Sequence, residues 1–238
     1  MSTRSPRWVN KSQRRRRGRP THFVAFRITS PRLITQVERL QSAIRDFCPE
    51  AASCLIDPRT LHVTLCVLRL PDGDAIERAC QVLHSEGARA STHEFSGVSP
   101  PSFDFNGWGF FGNNDVLYAK MDMDSMDGKR LSAVAEHIHH EFDRSGLTTE
   151  TFRRPYTPHL TVWKSSCDRN LIKNINTSRG EGATTVQDGI YQLVKSYASA
   201  ADAEELGSDH PRSMELLAMK EKDENGYYKQ LESAFWCS

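Results

Sequence analysis

The chain has 238 residues, 38% of them hydrophobic and 26% charged, and a formal net charge of +1. That is enough apolar material for one large domain or two small ones, and no apolar run approaches the roughly 18–20 residues of a membrane span. The near-neutral balance hides an asymmetry. Residues 1–20 hold eight of the 31 Lys and Arg and no acid, so the remainder carries 23 basic against 30 acidic residues and is a poor general trap for long nucleic acid.

The opening stretch RSPRWVNKSQRRRRGRP has no periodic apolar residues and reads as a disordered basic arm over residues 1–20. Such an arm serves as a solubilising tail or a nuclear-localisation signal, and its Arg-Gly-Arg-Pro resembles the core of an AT-hook. It lacks the apolar core of a signal peptide, so the chain is expected inside the cell, in nucleus or cytoplasm. Cys48, Cys54, Cys66, Cys80, Cys167 and Cys237 are dispersed, with no C-x-x-C spacing. This argues against a zinc ribbon or redox motif and for reduced thiols.

A single folded domain is expected over 21–238. HFVAFRIT, from His22, reads as a strand. Ser30-Pro31 is an N-cap followed by proline at the first helical position, and Leu33, Val37, Leu40, Ile44 and Phe47 follow at helical spacing. A strand, Leu61–Leu68, comes next. Asp74 and Glu77 form a capping box for a helix with Ile76, Ala79, Cys80 and Leu83 on one face. FDFNGWGFFG (103–112) and DVLYAKM (115–121) read as strands. A helix over 128–144 carries Leu131, Val134, Ile138 and Phe142 as its stripe and stops at Gly146. A further strand contains PHLTVW (158–163).

Two strand–helix–strand units result, and each ends in His-x-Thr. From Phe23 to His62 is 39 residues, and from Val116 to His159 is 43. The match predicts a duplicated α/β arrangement whose two motifs meet at a pseudo-twofold axis. Strand alternation puts His62, Thr64 and Cys66 on one face, and His159, Thr161 and Trp163 on the corresponding face. Each motif then projects an imidazole and a hydroxyl side by side, roughly 6.5–7 Å apart at the backbone. Two imidazoles facing one phosphodiester can divide the proton transfers, while threonine hydroxyls stabilise the phosphoryl oxygens. No metal or cofactor is called for.

Other residues compete for attention. In EHIHHEF (136–142), His137 and Glu141 are i, i+4 neighbours able to bind zinc, although a solvated polar face is the better reading. Trp108, Phe110 and Phe111 suit core packing more than base stacking. Tyr156 and Trp163 flank the second motif and are candidates for lining the substrate cleft.

The pair HVTL (62–65) and HLTV (159–162), set in duplicated units, resembles the two-histidine (2H) phosphoesterase superfamily. Within it, PHLTVWK (158–164), FNGWGFFGNNDVLYAKM (105–121) and NGYYKQLES (225–233) look most like the central 2′,5′ RNA ligase-like domain of A-kinase anchoring protein 7. The resemblance covers about residues 21–236. It implies an α+β, duplicated two-lobed fold with a central cleft between two antiparallel sheets flanked by helices. It also implies His62 and His159 as catalytic residues, with Thr64 and Thr161 on phosphate. The substrates it implies are short RNA: 2′,5′-linked oligoadenylate, or related 2′,5′, 3′,5′ or 2′,3′-cyclic phosphodiesters. A non-catalytic sensor binding AMP or CMP is the alternative. The chain ends at Ser238, just after NGYY, so protein kinase A anchoring is not implied, and a monomer with no membrane partner is the default. In the loop 190–211 an alanine, near Ala198, stands where relatives are expected to carry a basic residue.

Overall fold

The computed structural model describes residues 18–90, 102–149, 156–199 and 206–235. All but the last three residues of the basic arm lie outside them, as does Cys237. Strand β1 (His22–Arg27) leads into helix α1 (Pro31–Phe47). The Ser30 hydroxyl accepts from the Leu33 N–H at 3.5 Å, and Pro31 sits where a missing N–H costs nothing. Leu33, Val37, Leu40 and Ile44 are fully buried. Phe47 departs from the expected stripe at 48% exposed, because Cys48, four residues after Ile44, takes the buried position.

Strand β2 (His62–Leu68) and helix α2 (Gly73–Val82) follow. The cap of α2 falls two residues before the expected Asp74: Asp72 accepts from the Ala75 N–H at 2.9 Å. Asp74 lies inside the first turn, where a carboxylate still favours the helix N-terminus. Strands β3 (Phe103–Phe111) and β4 (Val116–Met121) precede helix α3 (Met126–Arg144). Ser125 caps α3 through the Gly128 N–H, and Leu131, Val134, Ile138 and Phe142 form the fully buried stripe. Strand β5 (His159–Lys164), helices α4 (Arg169–Ser178) and α5 (Val186–Ser199), and strands β6 (Gly207–Asp209), β7 (Ser213–Lys222) and β8 (Tyr228–Phe235) complete the fold. Among the described residues no helix is long and apolar enough to cross a membrane.

The strands form an eight-stranded sheet in the order β6-β3-β4-β5-β2-β1-β7-β8, with every pairing antiparallel. It divides into two four-stranded halves, β6-β3-β4-β5 and β2-β1-β7-β8. Only one register pair, Val63 with Leu160, links β2 to β5. The halves are thus the two lobes, each with a His-x-Thr strand at its inner edge. The matched units are β1–α1–β2 and β4–α3–β5, and the C-terminal hairpin β7–β8 returns to complete the N-terminal lobe beside β1. Apolar residues on the helix-covered side make one large core.

Candidate active site

Both motif strands keep the expected alternation for four residues and then break it. In β2, His62 and Thr64 are half-buried while Val63 and Leu65 face the core. Val24 pairs with Cys66 and Ala25 with Thr64, which leaves Leu65 as an extra residue. In β5, Leu117 pairs with Trp163 and Tyr118 with Thr161, which leaves Val162 extra. The bulge falls at the third residue after the histidine in both copies. A bulge of one residue reverses the facing of everything beyond it. Cys66 and Trp163 therefore turn into the core, at 2% and 0% exposed, rather than sharing the histidine face. This corrects Trp163 as a cleft-lining residue: its indole N–H donates to the Ala51 carbonyl at 3.3 Å.

The single rung sets the geometry of the site. Val63 lies opposite Leu160. One step along the antiparallel register in each direction places Thr64 across from His159, and His62 across from Thr161. Each imidazole thus neighbours the other motif's hydroxyl, and all four groups share the face away from the helices.

The two imidazoles are held in the same way. His62 Nδ1 lies 2.7 Å from the Thr60 carbonyl and His159 Nδ1 lies 2.9 Å from the Thr157 carbonyl. A carbonyl can only accept, so each Nδ1 carries a proton and each Nε2 is left as the working atom. Among the described residues neither Nε2 has a partner, and neither the Thr64 nor the Thr161 hydroxyl is engaged.

Burial depresses the basicity of both rings. His62 is brought down to about 4, chiefly by desolvation; the Thr60 carbonyl opposes this, and the charges of His159 and Lys222 add to it. His159 is also lowered by desolvation, with Lys164 adding and Thr157 opposing. Both imidazoles are therefore neutral at neutral pH, and the approach of a phosphate anion favours protonating one of them.

Aromatic rings wall each histidine in matched fashion. His62 packs on Phe23 at 4.8 Å and meets Tyr228 edge-on at 5.4 Å. His159 meets Phe111 edge-on at 4.8 Å and Tyr118 at 5.5 Å, and those two rings stack on each other at 4.0 Å. Lys222 places its ammonium 3.0 Å from the Tyr228 ring centroid, and Lys120 is the cross-strand partner of His159. Of these residues, sequence reasoning set Phe111 aside as core and passed over Phe23, Tyr118 and the lysines. The register of β3 and β4 on β5 was the signal that would have found Tyr118 and Lys120. Trp108 and Phe110 do pack on the core.

Tyr156 belongs to the junction. Its hydroxyl donates to the Thr64 carbonyl at 2.7 Å, tying the segment before β5 to the opposite lobe. The EHIHHEF helix holds no ligand cluster: His137 Nε2 faces Glu86 at 3.2 Å and His140 faces Glu141 at 3.1 Å. Among the described residues no three His, Cys, Asp or Glu side chains are grouped to hold a metal ion.

A family model described as the AKAP7 2′5′ RNA ligase-like domain matches residues 20–234. Escherichia coli LigT complexed with 3′-AMP superposes with a TM-score of 0.55 at 17% identity, covering 92% of this chain and 99% of that one. LigT from the same organism complexed with ATP gives 0.51 at 17% identity, covering 92% and 100%. A structure described as a phosphoesterase gives 0.50 at 17% identity over the same shares. At these identities the likeness is one of fold.

Proposed function

The chain belongs to the AKAP7 2′5′ RNA ligase-like family of 2H phosphoesterases, and on that premise we propose that it is a metal-independent phosphodiesterase of short RNA. Its substrates on this reading are 2′,5′-linked oligoadenylate or a related 2′,5′, 3′,5′ or 2′,3′-cyclic phosphodiester, cleaved by general acid/base catalysis. The observation that carries it is the matched pair of imidazoles. Both are oriented by a carbonyl on Nδ1 and both present an open Nε2, with two unengaged threonine hydroxyls between them.

On a 2′,5′ linkage the free 3′-hydroxyl is the nucleophile. One imidazole takes its proton as the O3′–P bond forms. The P–O5′ bond breaks, and the other imidazole, protonated beforehand, gives its proton to O5′. The products are a 2′,3′-cyclic phosphate and a 5′-hydroxyl. Water attack on a cyclic phosphate uses the same two groups with roles reversed. His62, the ring brought down to about 4, suits the base, and His159 suits the acid. Thr64 and Thr161 donate to the non-bridging oxygens, where charge accumulates.

The test is cleavage of 2′,5′- and 3′,5′-linked oligoadenylates side by side in EDTA, by the unaltered protein and by His62→Ala/His159→Ala. Turnover by the unaltered protein alone is expected, and the faster linkage names the substrate. Absence of turnover on both linkages and on 2′,3′-cyclic AMP, with AMP still bound, would instead make the chain a nucleotide-binding module.

A further inference from the structure

A depression of about 890 Å³ lies at the far end of β5, between the start of β4 and helices α4 and α5. Its wall carries Lys164, Arg169 and Lys173, and none of the three forms an ion pair within the described residues. Two acids share the wall, which leaves it one net positive charge, and neither is paired with a cation among the described residues. Asp115 is held by the Ser165 hydroxyl at 2.8 Å and the Gln187 amide at 3.2 Å, and Glu181 has no cationic partner among the described residues. Three unpaired cations around one concavity are unexpected in a chain whose residues beyond 20 carry 23 basic against 30 acidic side chains. They mark a local site for an anion.

The depression reaches the two strands, β4 and β5, that also carry Tyr118 and His159. Val116, on its rim, is the register partner of both Lys164 and Phe111, and the Phe111 ring touches His159. Lys164 also acts electrostatically on His159. Lys164 ends the strand that His159 begins. In the other lobe Lys222 lies against the Tyr228 ring with Asp57 and Asp223 nearby.

Resting on the phosphodiesterase reading above, we propose that Lys164, Arg169 and Lys173 hold a further phosphate of an oligonucleotide substrate, on the His159 side of the scissile bond. The ligand is a single strand with at least two phosphodiester links. A lone nucleotide or a cyclic monophosphate leaves this site empty.

Length dependence tests this. The affinities of fluorescein-labelled 2′,5′-linked adenylate dimer and pentamer are measured by anisotropy on the full chain, in the His62→Ala/His159→Ala background to prevent turnover. The same is done after adding Arg169→Gln and Lys173→Gln. Both added substitutions are on exposed positions of α4. The pentamer is expected to bind roughly tenfold more tightly than the dimer. The added pair should remove most of that advantage and flatten the pentamer's salt dependence by about 0.7 per cation lost. The basic arm contributes equally to parent and variant. Equal affinity for dimer and pentamer in the parent, or an equal loss on both lengths in the variant, overturns the proposal. Selective loss on the pentamer in a chain whose unaltered form shows no turnover sinks the catalytic reading and leaves this site standing as a binding site.

Discussion

Val63 and Leu160 form the single register pair between β2 and β5, the inner strands of the two lobes, and both are fully buried on the helix side. The reacting groups sit on the reverse of that rung. The junction is reinforced from below: the Ile56 N–H donates to the Val162 carbonyl at 2.9 Å, and the buried Gln41 side chain donates to the Ile56 carbonyl at 2.7 Å and to the Val162 carbonyl at 3.1 Å. Val162 is the bulge residue of β5, so Gln41 holds the bulge that aims His159 and Thr161.

Gln41→Met keeps the volume and removes both bonds. The Gln41 Oε1 is already buried without a partner, so the change relieves one unsatisfied atom while creating another at the Ile56 carbonyl. The expected net cost is roughly 1–3 kcal/mol, with kcat falling more than nucleotide affinity because the lobes lose their alignment. Urea denaturation together with steady-state kinetics reads both. Unchanged kcat in a destabilised variant would mean that Gln41 supports the fold but not the site.

The pH profile follows from the burial of the imidazoles. Acting as base, His62 must be neutral, which holds above about 4; acting as acid, His159 must be protonated, and its pKa lies below the ordinary histidine value. The kcat/KM of the free enzyme is therefore expected to peak on the acid side of neutrality and to begin falling below the ordinary imidazole range, as pH rises through the lowered value of His159. Bound phosphate raises both values, so the kcat profile should be displaced to higher pH. Folding carries the same signature. The unfolded chain takes up a proton on residue 62 near pH 6.5 while the folded chain does not until about 4. Stability is thus lost between those values as pH falls. His62→Gln should flatten that slope in thermal melts run from pH 7 to pH 4.5, and an unchanged slope would place the titration elsewhere.

Thr64→Val and Thr161→Val replace each hydroxyl with a methyl of similar shape. Neither hydroxyl has a protein partner among the described residues, so folding stability should hardly move, while kcat/KM should fall roughly a hundredfold per site through loss of a donor to the developing charge. A large drop in melting temperature, with activity preserved, would reassign these threonines to the scaffold.

The lobes and the four motif residues were legible because they rest on local rules. Two His-x-Thr strands with apolar flanks, and the proline-started α1, follow from short-range periodicity and capping. Trp163 was misplaced because alternation assumes an unbroken strand, whereas the bulge at Val162 depends on how β4 pairs, which is a long-range property. Phe111, Tyr118 and Tyr228 converge on the histidines through strand register between distant segments. A single sequence does not encode that register in any local pattern. The swap that sets His62 across from Thr161 was hidden for the same reason: it rests on the one Val63–Leu160 contact, across almost a hundred residues.

The Tyr156 hydroxyl offers a more local test. Tyr156→Phe deletes only the donor to the Thr64 carbonyl. The expected cost is about 1 kcal/mol of stability and a rise in KM, as the Thr64 strand loses its tie to the segment before His159. Isothermal titration with AMP and chemical denaturation together check it, and unchanged values in both would show the bond to be incidental.

Gly109 is the residue whose role the register explains most directly. It pairs with Tyr118, and a Cβ there would lie 2.7 Å from the Tyr118 ring and 2.9 Å from Lys120 Cε. Tyr118 cannot retreat freely, because its ring is stacked on Phe111, which abuts His159. Gly109→Ala should therefore push the aromatic wall onto the imidazole, costing roughly 1–3 kcal/mol as overpacking and lowering kcat. Tyr118→Ala opens that space, so the Gly109→Ala penalty should largely vanish in the double variant, a non-additivity that a double-mutant cycle measures. The same penalty in both backgrounds would mean that the glycine serves the turn of β3 and not the wall of the site.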